Sequence, residues 1–250
     1  MVGVIDSGSG GANVIIECMK YYNEDFIYLV DNQNSPYGNR PAYKVLEITK
    51  SNIENLLKEY KLDLIIIACN TASSIIDITK MGYNVPIITT SPNLLGVEGN
   101  GCDTLLFATK NTIKHNKKVQ YYLSNYSNFK TANIKNFAKN IDFFIKNGDI
   151  YAIFSLLSKK FTLHGVLKKQ YKNVKNIALG CTHFKHIKGQ LKKIFTEASF
   201  LECEYGVAIN SKYLIRRNRH RSSIKVILTK DEPEFERAIK NLFNKNLLVN

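Results

Sequence analysis

Short, uniformly apolar segments alternate along this chain with longer amphipathic ones, and this alternation limits the fold more than any other feature. Strands buried on both faces read as continuous apolar runs, whereas a helix that packs on a sheet is apolar along one side only. Residues 45–60 form one such amphipathic segment. The pattern predicts parallel sheets flanked by helices. We place the strands near residues 2–5, 26–30, 64–68, 87–89, 105–108, 119–123, 177–179, 199–201 and 225–228.

Two of these strands end in similar polar clusters. Cys69 opens a Cys-Asn-Thr sequence after one strand, and Cys181 opens a Cys-Thr-His sequence after a later one. Ligands of open α/β sheets bind beyond the carboxyl ends of the strands, so we expect both clusters to face one cleft. We therefore predict an α/β fold of two pseudo-symmetric lobes, each a mostly parallel sheet flanked by helices, with the active site in the cleft between them.

Composition and cysteine content indicate a globular protein of a reducing compartment. The apolar fraction is 44%, and no signal-peptide pattern is visible. No apolar run approaches the roughly 20 residues that span a bilayer. Five cysteines are an odd number and make a poor disulfide framework. We expect a cytoplasmic protein with free thiols and no membrane partner.

The net charge of +14 has three interpretations. It could attract nucleic acid, attract an anionic substrate, or reflect a heavy use of lysine throughout the chain. We favour the last interpretation and expect no nucleic-acid partner. One segment, residues 212–225, is denser in positive charge than such a bias explains. Its arginines are Arg216, Arg217, Arg219 and Arg221.

A glycine-rich turn follows the first strand. Residues 6–11 read Asp-Ser-Gly-Ser-Gly-Gly and lead into a helix near Ala12. Glycines let a backbone approach a ligand closely, and amides at a helix start favour anions. The spacing matches neither the dinucleotide-binding pattern nor the P-loop. Taken alone, the motif is best explained as a tight turn capped by Asp6 or Ser7.

The two cysteine turns are the candidates for chemistry. A helix that begins after Cys69 would lower the pKa of its thiol, and His183 lies two residues from Cys181. A lone cysteine at a strand end is usually a small buried apolar residue. A metal site at Cys181, His183 and His186 lacks a second ligand cluster, so we expect no metal. A cysteine hydrolase needs a single nucleophile with a histidine and an orienting residue.

Two equivalent thiols that face one cleft fit a stereoinversion better. Moving an α-proton from one face of a carbon to the other requires two bases on opposite sides, one thiolate and one thiol. Cys69 and Cys181 supply both without pyridoxal phosphate or any other cofactor. Asp6 and His183 could each assist the cysteine on their own side.

The ordered set of motifs resembles the glutamate racemases of the aspartate/glutamate racemase superfamily over nearly the whole length of the chain. The segments that carry the resemblance are the glycine-rich turn, residues 23–28, Asp31, and residues 35–38, 68–73, 108–113 and 180–183.

The resemblance implies that the substrate is glutamate and that the D-enantiomer supplies peptidoglycan. It implies that Asp6 and Ser7 bind the α-amino group or assist the neighbouring base, and that His183 also contacts the substrate. The α-carboxylate ligands would be Asn70, Thr71 and Thr182. The residues at the side-chain carboxylate would be Pro36, Tyr37, Gly38 and Thr112. It further implies one lobe of residues 1–92 with 207–250 and another of residues 93–206, and it leaves a homodimer open.

Several positions depart from the family pattern. Where the family has an acidic residue before a glycine, this chain has Lys146, which we expect to weaken the chemistry at Cys181. The other departures are His115, a shortened turn at residues 89–92, and the pair Glu202 and Cys203.

Two alternative functions stay open from the sequence. One is a racemase of another acidic amino acid such as aspartate, because the residues near Tyr37 and Thr112 do not fix the length of the substrate side chain. The other is a weakly active homologue whose basic surface binds nucleic acid.

Overall fold

The computed structural model describes residues 1–95, 97–98, 102–215 and 221–247. Residues 246 and 247 are described by their backbone only. Three arginines of the basic segment noted above, Arg216, Arg217 and Arg219, lie outside the described residues. None of the helices within the described ranges is long and apolar enough to cross a membrane.

Strands occupy almost all the positions that the apolar runs predict. They are β1 (Val2–Asp6), β2 (Phe26–Val30), β3 (Leu64–Ile67), β4 (Ile87–Thr89), β5 (Asp103–Ala108), β6 (Phe129–Ala132), β7 (Thr162–Leu163), β8 (Val166–Leu167), β9 (Val174–Gly180), β10 (Ser199–Leu201) and β11 (Ile224–Leu228).

Helices fill the amphipathic stretches between the strands. They are α1 (Gly11–Cys18), α2 (Ala42–Glu59), α3 (Asn70–Ile75), α4 (Lys110–His115), α5 (Lys117–Asn125), α6 (Phe137–Asn147), α7 (Ile150–Phe161), α8 (Lys188–Ile194), α9 (Glu204–Lys212) and α10 (Pro233–Leu247). Short 3-10 helices occupy Tyr37–Asn39, Ile78–Lys80, Lys169–Tyr171 and Thr182–Ile187.

Two parallel sheets organise the molecule, as the sequence predicts. The first has the strand order β11-β2-β1-β3-β4, and the second has the order β10-β9-β5-β6. All neighbours within both sheets run parallel, whereas β7 and β8 form a separate antiparallel pair. We call each sheet with the helices that cover it a lobe. The exact lobe boundaries, 1–92 with 207–250 and 93–206, remain a prediction.

Each sheet is buried on both faces, which explains the uniformly apolar runs. In β3, Leu64 and Ile66 join the core beneath α1 and α10, whereas Ile65 and Ile67 join the core beneath α2. All four side chains are fully buried. Burial of one such side chain stabilises the fold by about 1.5–3 kcal/mol, so the strand is held firmly from both sides.

One predicted strand is wrong, and the sequence does not predict strand β6 or the short pair β7 and β8. Residues 119–123 lie in helix α5, because the Asn116 side chain caps the helix by accepting a hydrogen bond of 3.1 Å from the Val119 amide. Val119 and Tyr122 are buried, and the residues between them are exposed, which is a helical period rather than an alternating one. The neighbouring edge strand β6 has only two buried residues and gives no apolar run.

Candidate active site

Three strand ends meet where the two lobes face each other. Asp6 ends β1, Cys69 follows β3 and caps α3, and Cys181 follows β9 and precedes the 3-10 helix Thr182–Ile187. These residues lie at the carboxyl ends of parallel strands, where α/β proteins bind ligands. Both cysteines are less than a tenth exposed, and Asp6 is fully buried. The predicted meeting of the two cysteine turns is therefore what the structure shows.

The glycine-rich turn is where the lobes touch. A Cβ atom on Gly8 would collide with the side chains of Asp142 and His183. A Cβ on Gly10 would collide with Thr182 Oγ1 and lie 2.8 Å from the His183 amide nitrogen. The sequence suggested a close approach to a ligand at these glycines. The structure shows that they admit the cysteine turn of the other lobe instead.

A hydrogen bond crosses the cleft at this contact. The Thr182 hydroxyl donates to Asp6 Oδ2 over 2.9 Å, and the Gly8 amide donates to Asp6 Oδ1 over 3.2 Å. Burial raises the pKa of the Asp6 carboxyl, although the charge of His183 and the Thr182 hydrogen bond oppose this. Asp6 is thus a buried carboxyl group that can hold a proton more readily than a surface aspartate.

Cys69 lies on the first-lobe side of the cleft. Its Sγ atom lies 3.9 Å from Ser7 Oγ, which in turn lies 3.5 Å from Asp6 Oδ1. Ser7 therefore stands between the thiol and the carboxyl group, and Asp6 reaches Cys69 through it. Burial and the charge of Asp6 raise the pKa of the Cys69 thiol to about 12. The Ala72 amide of α3 lowers the pKa as the sequence predicts, but burial outweighs it.

Cys181 lies on the second-lobe side beside a histidine and a carboxylate. Its Sγ atom lies 3.6 Å from His183 Nδ1, and His183 Nε2 lies 3.3 Å from Asp142 Oδ2. Burial alone would lower the pKa of His183, but the charges of Asp142 and Cys181 raise it well above its usual value. The three side chains form a line from carboxylate to imidazole to sulfur.

Sequence reasoning missed Asp142 and gave its place to Lys146. Asp142 lies on α6 one helical turn before Lys146 and occupies the face that points at His183. Lys146 points elsewhere and pairs with Glu232 over 2.8 Å and with Glu234 over 3.7 Å. The register that gave Lys146 the place of the acidic residue is therefore wrong, because Asp142 is the carboxylate beside His183. A search for any acidic residue one turn earlier would have found it.

Three threonine hydroxyls form a second polar group beside the cysteines. Thr71 Oγ1 lies 2.8 Å from Thr109 Oγ1, and Thr109 Oγ1 lies 3.0 Å from Thr112 Oγ1. Thr109 follows β5 at the same sheet edge and caps α4. The sequence singled out Thr71 and Thr112 for different carboxylates of the substrate. The structure joins them through Thr109, which sequence reasoning did not name as a site residue.

The Pro36–Gly38 segment borders this threonine group through its backbone. A Cβ on Gly38 would lie 2.8 Å from the Thr109 side chain, and the Ser35–Pro36 peptide bond is cis. The Tyr37 hydroxyl donates to Asp31 Oδ2 over 2.5 Å. The ring of Tyr37 is therefore part of the core that also contains Cys69, and Gly38 lies against Thr109.

Asn70 presents an acceptor where the sequence predicts a donor. Its side-chain amide donates to Cys203 Sγ over 3.5 Å. Its Oδ1 atom is buried and has no hydrogen-bond partner among the described residues. A free carbonyl oxygen suits an ammonium group better than a carboxylate.

His186 is not part of this catalytic group. Its Nε2 atom lies 3.3 Å from the Ser9 carbonyl oxygen and 3.2 Å from Asn13 Nδ2. Burial and the neighbouring charge of His183 lower its pKa to about 4, so it is neutral near pH 7. In the described part of the chain, no group of three His, Cys, Asp or Glu side chains could hold a metal ion. All five cysteines are free thiols.

Several curated proteins with related sequences are named glutamate racemase. A glutamate racemase of Clostridium botulinum (strain Alaska E43 / Type E3) is 32% identical over 212 residues, which cover 77% of this chain and 74% of that protein. A glutamate racemase of Aliarcobacter butzleri is 30% identical over 78% of this chain and 76% of its own length. No protein-family model matches the chain.

Solved structures share the fold over almost the whole length. The crystal structure of glutamate racemase from Campylobacter jejuni superimposes with a TM-score of 0.80 at 22% identity. The match covers 97% of this chain and 98% of that one. Both parallel sheets and the cleft between them therefore belong to an architecture that has been observed in crystals.

Proposed function

The chain belongs to the glutamate racemase family, and on that premise we propose that it interconverts L- and D-glutamate by moving the α-proton between Cys69 and Cys181. One observation carries the proposal. Two buried thiols follow corresponding strands of two facing sheets, and each has its own proton-transferring neighbour. Inversion at a carbon needs two acid–base groups on opposite faces, and this arrangement supplies them.

The proton at Cys69 moves through Ser7 and Asp6 in this proposal. The thiol is protonated at rest because burial raises its pKa to about 12. The Ser7 hydroxyl lies within reach of both the sulfur and the Asp6 carboxyl. When Cys69 acts as the base, Asp6 takes up the thiol proton by way of Ser7. When Cys69 acts as the acid, it delivers its proton to the substrate carbon.

The proton at Cys181 is exchanged with His183. Asp142 holds the imidazole from its far side, which favours the protonated ring. When Cys181 acts as the base, it passes its own proton to His183 and then removes the α-proton, while Cys69 donates on the opposite face. The reverse reaction exchanges the two roles. The scheme uses no cofactor.

The polar groups around the cysteines would hold the substrate. Asn70 Oδ1 and Asp6 suit the α-ammonium group, and the hydroxyls of Thr71 and Thr182 suit the α-carboxylate once Thr182 turns its proton from Asp6 to the substrate. The side-chain carboxylate would lie at the segment of Pro36, Tyr37 and Gly38 with Thr112, where Thr109 adds a further hydroxyl. Burying two carboxylates requires such donors, because an unpaired buried charge is costly.

A hydrogen-exchange experiment tests the mechanism. The protein is incubated in D₂O with each enantiomer of glutamate, without added cofactor, and both optical rotation and deuterium at the α-carbon are followed. We expect loss of rotation with either enantiomer. C69S and C181S should each fail to racemise, yet each should exchange deuterium into only one enantiomer, because one base remains on one face. Full activity of both variants would exclude a two-thiol mechanism.

The same assay with aspartate separates the closest alternative. Faster racemisation of aspartate than of glutamate would assign the enzyme to another acidic amino acid. We further propose that the D-glutamate enters peptidoglycan in the cytoplasm. Rescue of a bacterial strain that requires D-glutamate by the gene for this chain would support that role, and failure of an active enzyme to rescue it would argue against it.

A further inference from the structure

A serine of the glycine-rich turn contacts the carboxylate that holds His183. Ser9 is fully buried, and its hydroxyl donates to Asp142 Oδ1 over 2.6 Å. Its backbone amide donates to the same oxygen over 2.9 Å. Both donors belong to the first lobe, whereas Asp142 lies on α6 of the second. The two hydrogen bonds therefore cross the cleft.

These two hydrogen bonds decide which way the carboxylate faces. With Oδ1 held by Ser9, the carboxylate faces His183 with both oxygens, and Nε2 lies 3.2 Å from Oδ1 and 3.3 Å from Oδ2. An aspartate side chain has few rotatable bonds, so fixing one of its oxygens fixes the other. Gly8 packs directly over the pair, because any Cβ there would overlap both Asp142 and His183. The contact is thus closed off by the same turn that supplies Ser9.

We propose that Ser9 is a positioning residue, which fixes Asp142 against His183 only when the two lobes are together. The proposal rests on the proposed function, since it assigns Ser9 a part in the proton transfer at Cys181. Both hydrogen-bond donors of Ser9 are used by Asp142, so neither is left for a cysteine or for the substrate. It acts through Asp142, and the closed cleft completes the line from carboxylate to imidazole to sulfur.

The charged surroundings of His183 support this assignment. The titratable groups whose charges act on it, or on which it acts, are Asp6, Asp142, Cys69, Cys181 and His186. Of these, Asp142 raises the pKa of His183 most. Burial would raise the pKa of Asp142 itself, but His183 and both Ser9 hydrogen bonds outweigh it and hold the pKa below its usual value. Losing the Ser9 hydroxyl would therefore loosen the carboxylate and weaken its effect on the imidazole.

The first test is the pH profile of S9A. We expect kcat to fall about tenfold with little change in KM, because one charge-assisted hydrogen bond is lost. The alkaline limb of the profile should move to lower pH, because His183 then loses its proton more readily. S9T keeps a hydroxyl at this position and should restore both kcat and the position of the alkaline limb. S211A is the matched control, since Ser211 is also a fully buried hydroxyl but lies on α9 away from the site. It should lower the melting temperature without moving the pH profile.

The second test separates a positioning role from a structural one. In a D142N background, S9A should cause no further loss, because the group that it positions is already gone. An equal loss in both backgrounds, or an unshifted profile in S9A, would overturn the proposal. The pKa of His183 measured by NMR in the resting protein gives a readout without turnover. A lower pKa in S9A would uphold the role of Ser9 even if glutamate proved not to be the substrate.

Discussion

A single methyl group at Gly10 tests whether the two lobes must meet as closely as the structure shows. In G10A the new Cβ would overlap Thr182 Oγ1 and lie 2.7 Å from His183 Nδ1. Ordinary contact begins near 3.4 Å and Thr182 Oγ1 would lie only 2.3 Å from the new Cβ, so the second-lobe turn must retreat by about 1.1 Å. The 2.9 Å hydrogen bond from Thr182 to Asp6 would then exceed hydrogen-bond range. A displacement of this size at reacting groups lowers kcat by about a hundredfold.

The assay follows circular dichroism of glutamate over a range of concentrations, so that kcat and KM are separated. G189A is the matched control, since a Cβ on Gly189 in helix α8 meets nothing within 4 Å. It should keep full activity and gain about 0.5–1 kcal/mol of stability as a glycine replaced within a helix. A wild-type kcat in G10A would refute the claim that catalysis requires this close contact between lobes.

Two further outcomes follow from the charges and contacts of the site. Because burial raises the pKa of Cys69 to about 12, iodoacetamide should label it slowly at pH 7 and faster at each step toward pH 10. Mass spectrometry of the labelled peptides measures the reaction, and half-exposed Cys102 is the internal reference. Equal labelling of Cys69 and Cys102 at pH 7 would contradict the prediction. Lys146 pairs with Glu232 near the surface, so K146A should lose less than about 1 kcal/mol of stability and keep kcat within about twofold. Urea denaturation measures the stability of K146A, and the racemase assay measures its kcat. A folded but inactive K146A would show that Lys146 takes part in catalysis.

The sequence predicts the framework well because burial on both faces leaves a plain pattern. The runs of β1, β2 and β3 are uniformly apolar and were located within one residue. Edge strand β6 has mixed burial, so its sequence shows no apolar run. The sequence of α5 favours a strand because Val119 and Tyr122 are both residue types common in strands, and two buried positions are too few to show a helical period.

Residues that act across the cleft were harder to find. Asp6, Cys69 and Cys181 stand at strand ends, where topology alone brings them together. Asp142 lies in the middle of a helix, and nothing local distinguishes it from a solvent-exposed aspartate. Its role depends on Ser9, 133 positions away in the chain. Such a pairing is a property of the packed lobes and leaves no trace in the local pattern of either segment.

Strand β11 has a consequence for the order in which the protein assembles. It pairs with β2 along five residues at the edge of the first sheet, although nearly 200 residues separate them in the chain. During synthesis one edge of β2 stays unpaired until β11 has left the ribosome. The paired strands of the second sheet are closer together in the chain, since its four described strands lie between residues 103 and 201. The lobe that carries Cys181 can therefore fold before the lobe that carries Cys69. Removal of β11 would damage the lobe that carries Cys69 and spare the lobe that carries Cys181.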